Sequence, residues 1–277
     1  MWGIKMKKRG FMLLAVFMMA IFLTSCGNKS QKSEDSKQKN SKKIIVGYDL
    51  YEPYAYIDEK GNMTGSDIEL AKEAFKRMGY QPVFKKITWG EQKKLLKNKT
   101  IDCIWCGFSI DGREKQYQWT RPYLKCNQRV VVRSDSKIYK LSDLKGKKVA
   151  VQIATKTEEY FLKQQSTGKL PVEQIATYSN LMEAVAAFNK GYTDAVVAHD
   201  EALRYYTKEN QKAYRFLDEK ILQTKLGAAF DLNYDHQIVA KLSDTLDKMI
   251  QDGTVKKIVS KYEIDSKQLM EGKTGAQ

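Results

Sequence analysis

Cysteines and histidines are the side chains of this sequence that could support redox or metal chemistry. Cys103 and Cys106 match the C-x-x-C spacing of thiol redox sites and of half a zinc site. The segment 101–105, however, is predicted to be a buried strand, on which residues three apart point to opposite faces. Only two histidines occur, and there is no second C-x-x-C. The sequence therefore predicts no redox centre, no metal site and no cofactor, and it leaves open a disulfide that involves Cys126.

The N-terminus has the parts of a bacterial export signal. Four basic residues lie in the segment 5–9, and an uncharged apolar run follows over 11–23. This run is shorter than the ~20 residues of a membrane-spanning helix. Leu-Thr-Ser-Cys-Gly at 23–27 resembles the lipobox, in which the cysteine is diacylated and becomes the first residue after cleavage. We expect residues 1–25 to be a lipoprotein signal peptide and Cys26 to carry the lipid anchor; an ordinary signal peptide with a chance cysteine is the alternative.

The segment after Cys26 is polar and charged, and we expect residues 26–42 to form a disordered tether. The formal net charge of the chain is +15, and loss of the four basic residues before Cys26 leaves +11. Nucleic-acid binding is one interpretation of this charge. An exported protein seldom meets nucleic acid, so a solvated cationic surface close to anionic wall polymers and lipid headgroups is the better interpretation.

From residue 43 onward, strand and helix patterns alternate. Strands are predicted over 43–48, 82–87, 101–105, 148–152 and 194–198. Ser66 with Glu69, and Thr88 with Glu91, match the spacing of helix capping boxes, and Gly79 is expected to end the first helix. Repeated β-α-β units predict a mostly parallel sheet with helices on both faces, with ligands at the carboxyl ends of the strands.

The chain from residue 43 to 262 resembles the family 3 bacterial extracellular solute-binding proteins, which serve polar amino-acid ABC importers. The landmarks are Val46-Gly-Tyr-Asp49, Pro53-Tyr54, Gly65-Ser-Asp-Ile-Glu-Leu-Ala71, Trp89, Lys99-Thr-Ile-Asp102, Phe108-Ser-Ile-Asp-Gly-Arg113, Pro122-Tyr123, Asp143-Leu-Lys-Gly-Lys-Lys-Val-Ala150, Gly191-Tyr-Thr-Asp-Ala195 and Asp252-Gly253. Their order and spacing together are specific, although each is weak alone.

This resemblance implies an α/β, two-lobe, periplasmic-binding-protein-like (type II) fold with two hinge strands and a ligand site in the cleft. The first lobe is expected to comprise residues 43–127 plus 223–277, and the second lobe residues 128–222. The hinges are expected near 125–130 and 223–227, so that the last helices return to the first lobe.

The resemblance also implies how an amino-acid carboxylate would be held. Arg113 matches the family's carboxylate-binding arginine, and a guanidinium offers the planar, always-charged fork that a carboxylate needs. Thr155 and Lys156 match the helix start that adds donors, and Gln152 is a further expected contact. The sequence departs from the family at Ala154, where a glycine is usual.

For the ligand ammonium, the resemblance implies the carbonyl of Gly107, the hydroxyl of Ser109 and a carboxylate after the strand 194–198. The simplest alignment puts His199 at the carboxylate position and Asp200 one residue later. We predict Asp200, because a neutral histidine cannot replace a carboxylate charge, and a helix-capping role for Asp200 is the alternative.

Aromatic and acidic residues complete the expected site. Tyr51 and Trp89 match aromatics that sandwich the ligand side chain, although a tryptophan often fills a core. Asp49 is expected either to hold the pocket loop or to contact the ligand. Glu52, where a proline is common, would favour a cationic or amide-bearing ligand if it faces the pocket mouth; an exposed loop acid is the alternative.

The resulting prediction is a monomeric, non-enzymatic solute-binding lipoprotein on the extracellular face of the cell membrane. It would capture a polar or cystine-like amino acid by hinge closure and deliver it to an ABC permease and its ATPase. One alternative is a dehydratase-like enzyme on the same fold, with Glu52 and Asp200 as the evident candidate acids. The other is a sensor or adhesin without transport.

Overall fold

A computed structural model describes residues 42–272 of the chain. The predicted signal peptide, Cys26 and nearly all of the predicted tether lie outside these described residues. No helix within 42–272 combines the length and the apolar character needed to cross a membrane.

Thirteen strands and seven α-helices make up the described chain, together with short 3-10 turns. The strands are β1 (Lys42–Tyr48), β2 (Tyr56–Ile57), β3 (Met63–Thr64), β4 (Tyr80–Lys86), β5 (Cys103–Ile104), β6 (Gln118–Trp119), β7 (Leu124–Arg133), β8 (Lys148–Gln152), β9 (Gln174–Tyr178), β10 (Ala195–His199), β11 (Tyr214–Phe216), β12 (Leu222–Leu226) and β13 (Ala229–Phe230). The helices are α1 (Ser66–Met78), α2 (Gln92–Lys97), α3 (Lys156–Ser166), α4 (Leu181–Asn189), α5 (Asp200–Thr207), α6 (His236–Gln251) and α7 (Thr254–Ser260).

Two sheets organise the molecule, each at the centre of one lobe. The first has the order β4-β1-β5-β13-β6, in which β1 runs parallel to β4 and β5 while β13 is antiparallel to its neighbours. The second has the order β11-β7-β10-β8-β9, with β8, β9 and β10 parallel and β12 paired to β7. The expected two-lobe α/β fold is confirmed, but the expectation of a mostly parallel sheet is wrong, because β7, β12 and β13 pair antiparallel to their neighbours and make both sheets mixed.

Two antiparallel strands connect the lobes. The chain leaves the first sheet through β7 and returns through β12, which pairs with the first half of β7 from Leu124 to Gln128. After this return, α6 and α7 lie against α1 of the first lobe, where Arg77 forms an ion pair with Asp252. The domain boundaries 43–127 plus 223–277 and 128–222 stay a prediction.

Helix ends follow local chemistry only in part. Gly79 ends α1 as expected, because its left-handed backbone (φ 81°) closes the last turn. The capping boxes predicted at Ser66 and at Thr88 are wrong, since neither α1 nor α2 has a side-chain cap at its first turn. Asp67 instead turns inward, where its Oδ2 accepts a hydrogen bond of 2.6 Å from the backbone N–H of Gly107.

The three cysteines of the described chain, Cys103, Cys106 and Cys126, are buried free thiols. Burial raises the pKa of each thiol well above its usual value. No group of three or more potential metal-ligating side chains is found in residues 42–272.

Candidate functional site

A cavity lies between the two lobes, and its lining combines aromatic side chains with a few polar and charged groups, as in sites for small molecules. Both lobes contribute to it through residues at or after the carboxyl ends of β1, β4, β5, β8 and β10, where ligands gather in open α/β sheets. The lining consists of Asp49, Tyr51, Trp89, Cys106, Gly107, Phe108, Ser109, Arg113, Gln152, Ala154, Thr155, Lys156 and His199.

Arg113 is the buried cation of this cavity. It is 6% exposed, and its guanidinium lies 5.2 Å from the ring centre of Phe108. One of its terminal nitrogens, Nη2, donates to the carbonyl of Ala154 at 3.0 Å and to the carboxylate of Glu159 at 2.7 Å. Arg113 belongs to the first lobe and both acceptors to the second, so this guanidinium joins the lobes.

The departure at Ala154 has a structural consequence. Its φ of 55° lies in the left-handed region, which a glycine adopts freely and which costs an alanine about 1–2 kcal/mol. The turn that it forms precedes α3, whose first turn is capped by the hydroxyl of Thr155. The backbone geometry of a glycine is therefore kept although the glycine is absent.

Asp49 is the buried acid of the cavity, and no other acidic side chain of residues 42–272 lines it. Its carboxylate accepts hydrogen bonds from the backbone N–H of Leu50 at 2.8 Å and from Nε2 of Gln152 in the second lobe at 3.0 Å. Burial raises the pKa of Asp49 to about 6, while Leu50 and the charge of Lys86 oppose that rise.

His199, not Asp200, lines the cavity. The His199 backbone N–H donates to the hydroxyl of Tyr51 at 3.3 Å, and its ring meets that of Tyr51 edge-on. Burial, helped by the charge of Arg113, lowers the pKa of His199 to about 3, so its ring is neutral at physiological pH. Asp200 begins α5 outside the lining and forms an ion pair with Arg204.

Most of the other predicted residues come together in the cavity. Tyr51, Trp89, Gly107, Ser109, Gln152, Thr155 and Lys156 all line it. Glu52 does not, and its carboxylate instead accepts a hydrogen bond from the hydroxyl of Tyr206. Whether these residues contact a ligand stays a prediction.

Sequence reasoning missed two supporting acids. Asp67 received no role of its own, yet it holds the backbone of Gly107. Gly107 has a left-handed φ of 56°, and the nearby ring of Tyr54 leaves little space for a side chain there. No pattern in the sequence indicated a role for Glu159, because its pairing with Arg113 depends on how the two lobes meet.

The comparisons with known proteins agree with this architecture. The sequence-family model for the bacterial extracellular solute-binding proteins, family 3, matches residues 44–265. The arginine-binding extracellular protein ArtP of Bacillus subtilis (strain 168) is 28% identical over 257 residues, which cover 92% of this chain and 98% of ArtP.

Two solved structures are similar as well. An ancestral arginine-binding protein bound to arginine has a TM-score of 0.74 and 29% identity, over 79% of this chain and 97% of that one. The ancestral amino acid-binding protein AncCDT-1, a precursor of cyclohexadienyl dehydratase, has a TM-score of 0.71 and 30% identity, over 79% of this chain and 95% of that one. With a family match over most of its length, two lobes and a cavity between them, this chain belongs to the bacterial extracellular solute-binding proteins, family 3.

Proposed function

We propose that this protein is the substrate-binding component of an ABC importer and that it captures an amino acid in the cavity between its lobes. One observation carries the proposal: a buried, permanently charged guanidinium, that of Arg113, lines a cavity to which both lobes contribute. A buried charge without a partner is costly, and the anionic partner of Arg113 in this structure is the half-exposed carboxylate of Glu159. A ligand carboxylate would fill that role and stabilise the closed arrangement of the lobes.

The donors around Arg113 suit a carboxylate. Thr155 and Lys156 begin α3 at the cavity wall, where the positive end of the helix and the Lys156 ammonium add to the charge of the guanidinium. We assign the carboxylate of the amino acid to this end of the cavity.

The positive group of the ligand is assigned to Asp49 rather than to Asp200. Asp49 lines the cavity with a carboxylate, whereas Asp200 is paired with Arg204 outside the lining. The carbonyl of Gly107 and the hydroxyl of Ser109 are polar neighbours that can accept hydrogen bonds from an ammonium. Tyr51 and Trp89 offer aromatic surfaces for the ligand side chain.

A polar amino acid, with arginine as the first candidate, fits this assignment, because both ArtP and the ancestral protein are described as arginine-binding. Cystine is the second candidate. Thermal denaturation with each common amino acid and with cystine at millimolar concentration tests the proposal, because a ligand that binds only the folded state raises the melting temperature. If none of these compounds raises the melting temperature, the result would contradict an amino-acid ligand.

A dehydratase activity is the competing function, favoured by the similarity to AncCDT-1. The position of Glu52 argues against it, since this candidate acid bonds to Tyr206 rather than lining the cavity. Incubation with a prephenate-like carboxylate, followed by detection of an aromatic product, separates the two. Turnover that Glu52→Gln abolishes would overturn the binding-only role.

The proposed site of action is the extracellular face of the cell membrane, with Cys26 acylated and residues 26–42 as the tether to a monomeric body. The lipobox-like segment 23–27 supports this proposal. Cys26→Ser should move the protein from the membrane fraction to the medium, as measured by fractionation and immunoblotting. Retention of the variant in the membrane fraction would contradict lipid anchoring.

A further inference from the structure

Glu159 supplies a carboxylate to the cation that the ligand would use. Its Oε1 lies 2.7 Å from Nη2 of Arg113, and its Oε2 accepts a hydrogen bond from the ammonium of Lys156. Within residues 42–272, Glu159 is the ion-pair partner of Arg113. A single carboxylate thus bridges two cations at the anion-binding end of the cavity.

The two partners differ in their exposure to solvent. The Arg113 side chain is 8% exposed, whereas that of Glu159 is 47% exposed. Glu159 lies in the first turn of α3, where its backbone N–H donates to the carbonyl of Thr155 at 3.1 Å. It therefore reaches Arg113 from the solvent side of the cleft. Water can solvate the Glu159 carboxylate when this carboxylate separates from Arg113.

We propose that Glu159 is an internal competitor for the ligand carboxylate. In the free protein it neutralises Arg113 and ties the second lobe to the first. When an amino acid binds, the ligand carboxylate replaces it on Nη2, and Glu159 keeps Lys156 or turns to solvent. This inference rests on the proposed function, because it takes Arg113 as the carboxylate-binding residue.

The competition sets affinity rather than the ability to bind. An ion pair with a half-exposed partner is weak, and its loss corresponds to about a two- to fivefold change in an equilibrium constant. Removing the charge of Glu159 should therefore tighten ligand binding by about that factor. A glutamine keeps the size of the side chain and can still accept a hydrogen bond from Lys156.

Calorimetric titration with L-arginine tests the inference on wild type, Glu159→Gln and Glu173→Gln. Glu173 is the matched control, because it is 57% exposed and pairs with Lys148 away from the cavity lining. We expect Glu159→Gln to bind about two- to fivefold more tightly than wild type and Glu173→Gln to bind like wild type. Equal or weaker binding by Glu159→Gln would overturn the competition.

Failure of the proposed function has a different signature. If L-arginine gives no heat with any variant, arginine binding fails, and small-angle scattering of the ligand-free proteins then decides the inference. A larger radius of gyration for Glu159→Gln than for Glu173→Gln would support a tie between the lobes through Glu159. Equal radii would refute it.

Discussion

Two polar clusters join the lobes, one at the rim of the cavity and one behind it. The rim cluster consists of Arg113, Lys156 and Glu159, whose ionised groups bond to one another. Its acidic member is about half exposed to solvent. A ligand can therefore exchange with this acid at little cost in desolvation.

The buried cluster consists of Tyr54, Cys126 and Glu201, and it contacts His199 of the cavity lining. The Tyr54 hydroxyl lies 3.3 Å from Nδ1 of His199 and 3.2 Å from Oε2 of Glu201, and the Cys126 thiol donates to the same oxygen at 3.2 Å. Burial raises the pKa of Tyr54, of Cys126 and of Glu201, and it lowers that of His199. Each shift favours the neutral form.

The two clusters differ in charge and in exposure to solvent, and they therefore join the lobes in two different ways. Charged groups near water can be exchanged for a charged ligand, whereas groups whose neutral forms are favoured contribute packing and hydrogen bonds that no ligand replaces. We therefore expect substitutions at the rim and in the cavity to change affinity, and substitutions in the buried cluster to change stability.

The largest expected effect is on affinity at Arg113. Arg113→Ala should weaken amino-acid binding by about 30- to several-thousand-fold, because it removes one partner of a desolvated charge pair, worth about 2–5 kcal/mol. Arg113→Lys should recover only part of this loss, since an ammonium lacks the planar fork. Calorimetric titration measures both variants. Lys115→Ala and Lys72→Ala are controls on exposed lysines, and wild-type affinity in Arg113→Ala would show that the carboxylate binds elsewhere.

A smaller effect is expected from Asp49, and it should depend on pH. With a pKa of about 6, Asp49 is ionised above pH 6 and attracts a ligand cation, whereas below pH 6 it is protonated. Affinity should fall as the pH is lowered from 7.5 to 5, by up to about tenfold per unit below the pKa. His199, with its pKa lowered to about 3, does not titrate in this range.

Asp49→Asn is the matched variant for this pH effect. At pH 7.5 it should bind about 10- to 100-fold more weakly, as expected when a charge-assisted hydrogen bond is lost. The decline of affinity between pH 7.5 and 5 should disappear, and titrations at three pH values measure this. The raised pKa also means that ionisation of Asp49 reduces folding stability as the pH rises through 6, a loss that Asp49→Asn should remove. An unchanged pH profile would assign the ligand cation to another group.

The smallest effect, about 1 kcal/mol in the free energy of unfolding, is expected in the buried cluster. Tyr54→Phe removes the hydroxyl that contacts His199 and Glu201 but keeps the ring. Urea denaturation should detect this loss, while the dissociation constant stays within about twofold of the wild-type value. Glu201→Gln serves as the control, because burial raises the pKa of Glu201 and so favours the neutral carboxyl that a glutamine resembles. A large loss of affinity in Tyr54→Phe would mean that the two clusters do not act separately.

The sequence predicted much of the cavity because local order determines where each loop leaves its strand. Asp49 directly follows β1, Gln152 ends β8, and Thr155 caps α3, so parallel strands bring them to one edge of the sheets. The family landmarks added Arg113, which no periodicity would have distinguished from a surface arginine. Local spacing was misleading at Ser66 and Glu69, where the predicted capping box is absent.

The tertiary structure decided which polar groups meet. The sequence by itself determined the family, the two-lobe α/β fold and the loops that carry the site, because these follow from patterns along the chain. It led to Asp200 as the predicted carboxylate, whereas His199 lines the cavity, since a one-residue step at the end of β10 exchanges the side chain that faces the cavity for one that begins α5. The sequence could not pair Glu159 with Arg113, because the two lie 46 residues apart and meet only where the lobes close.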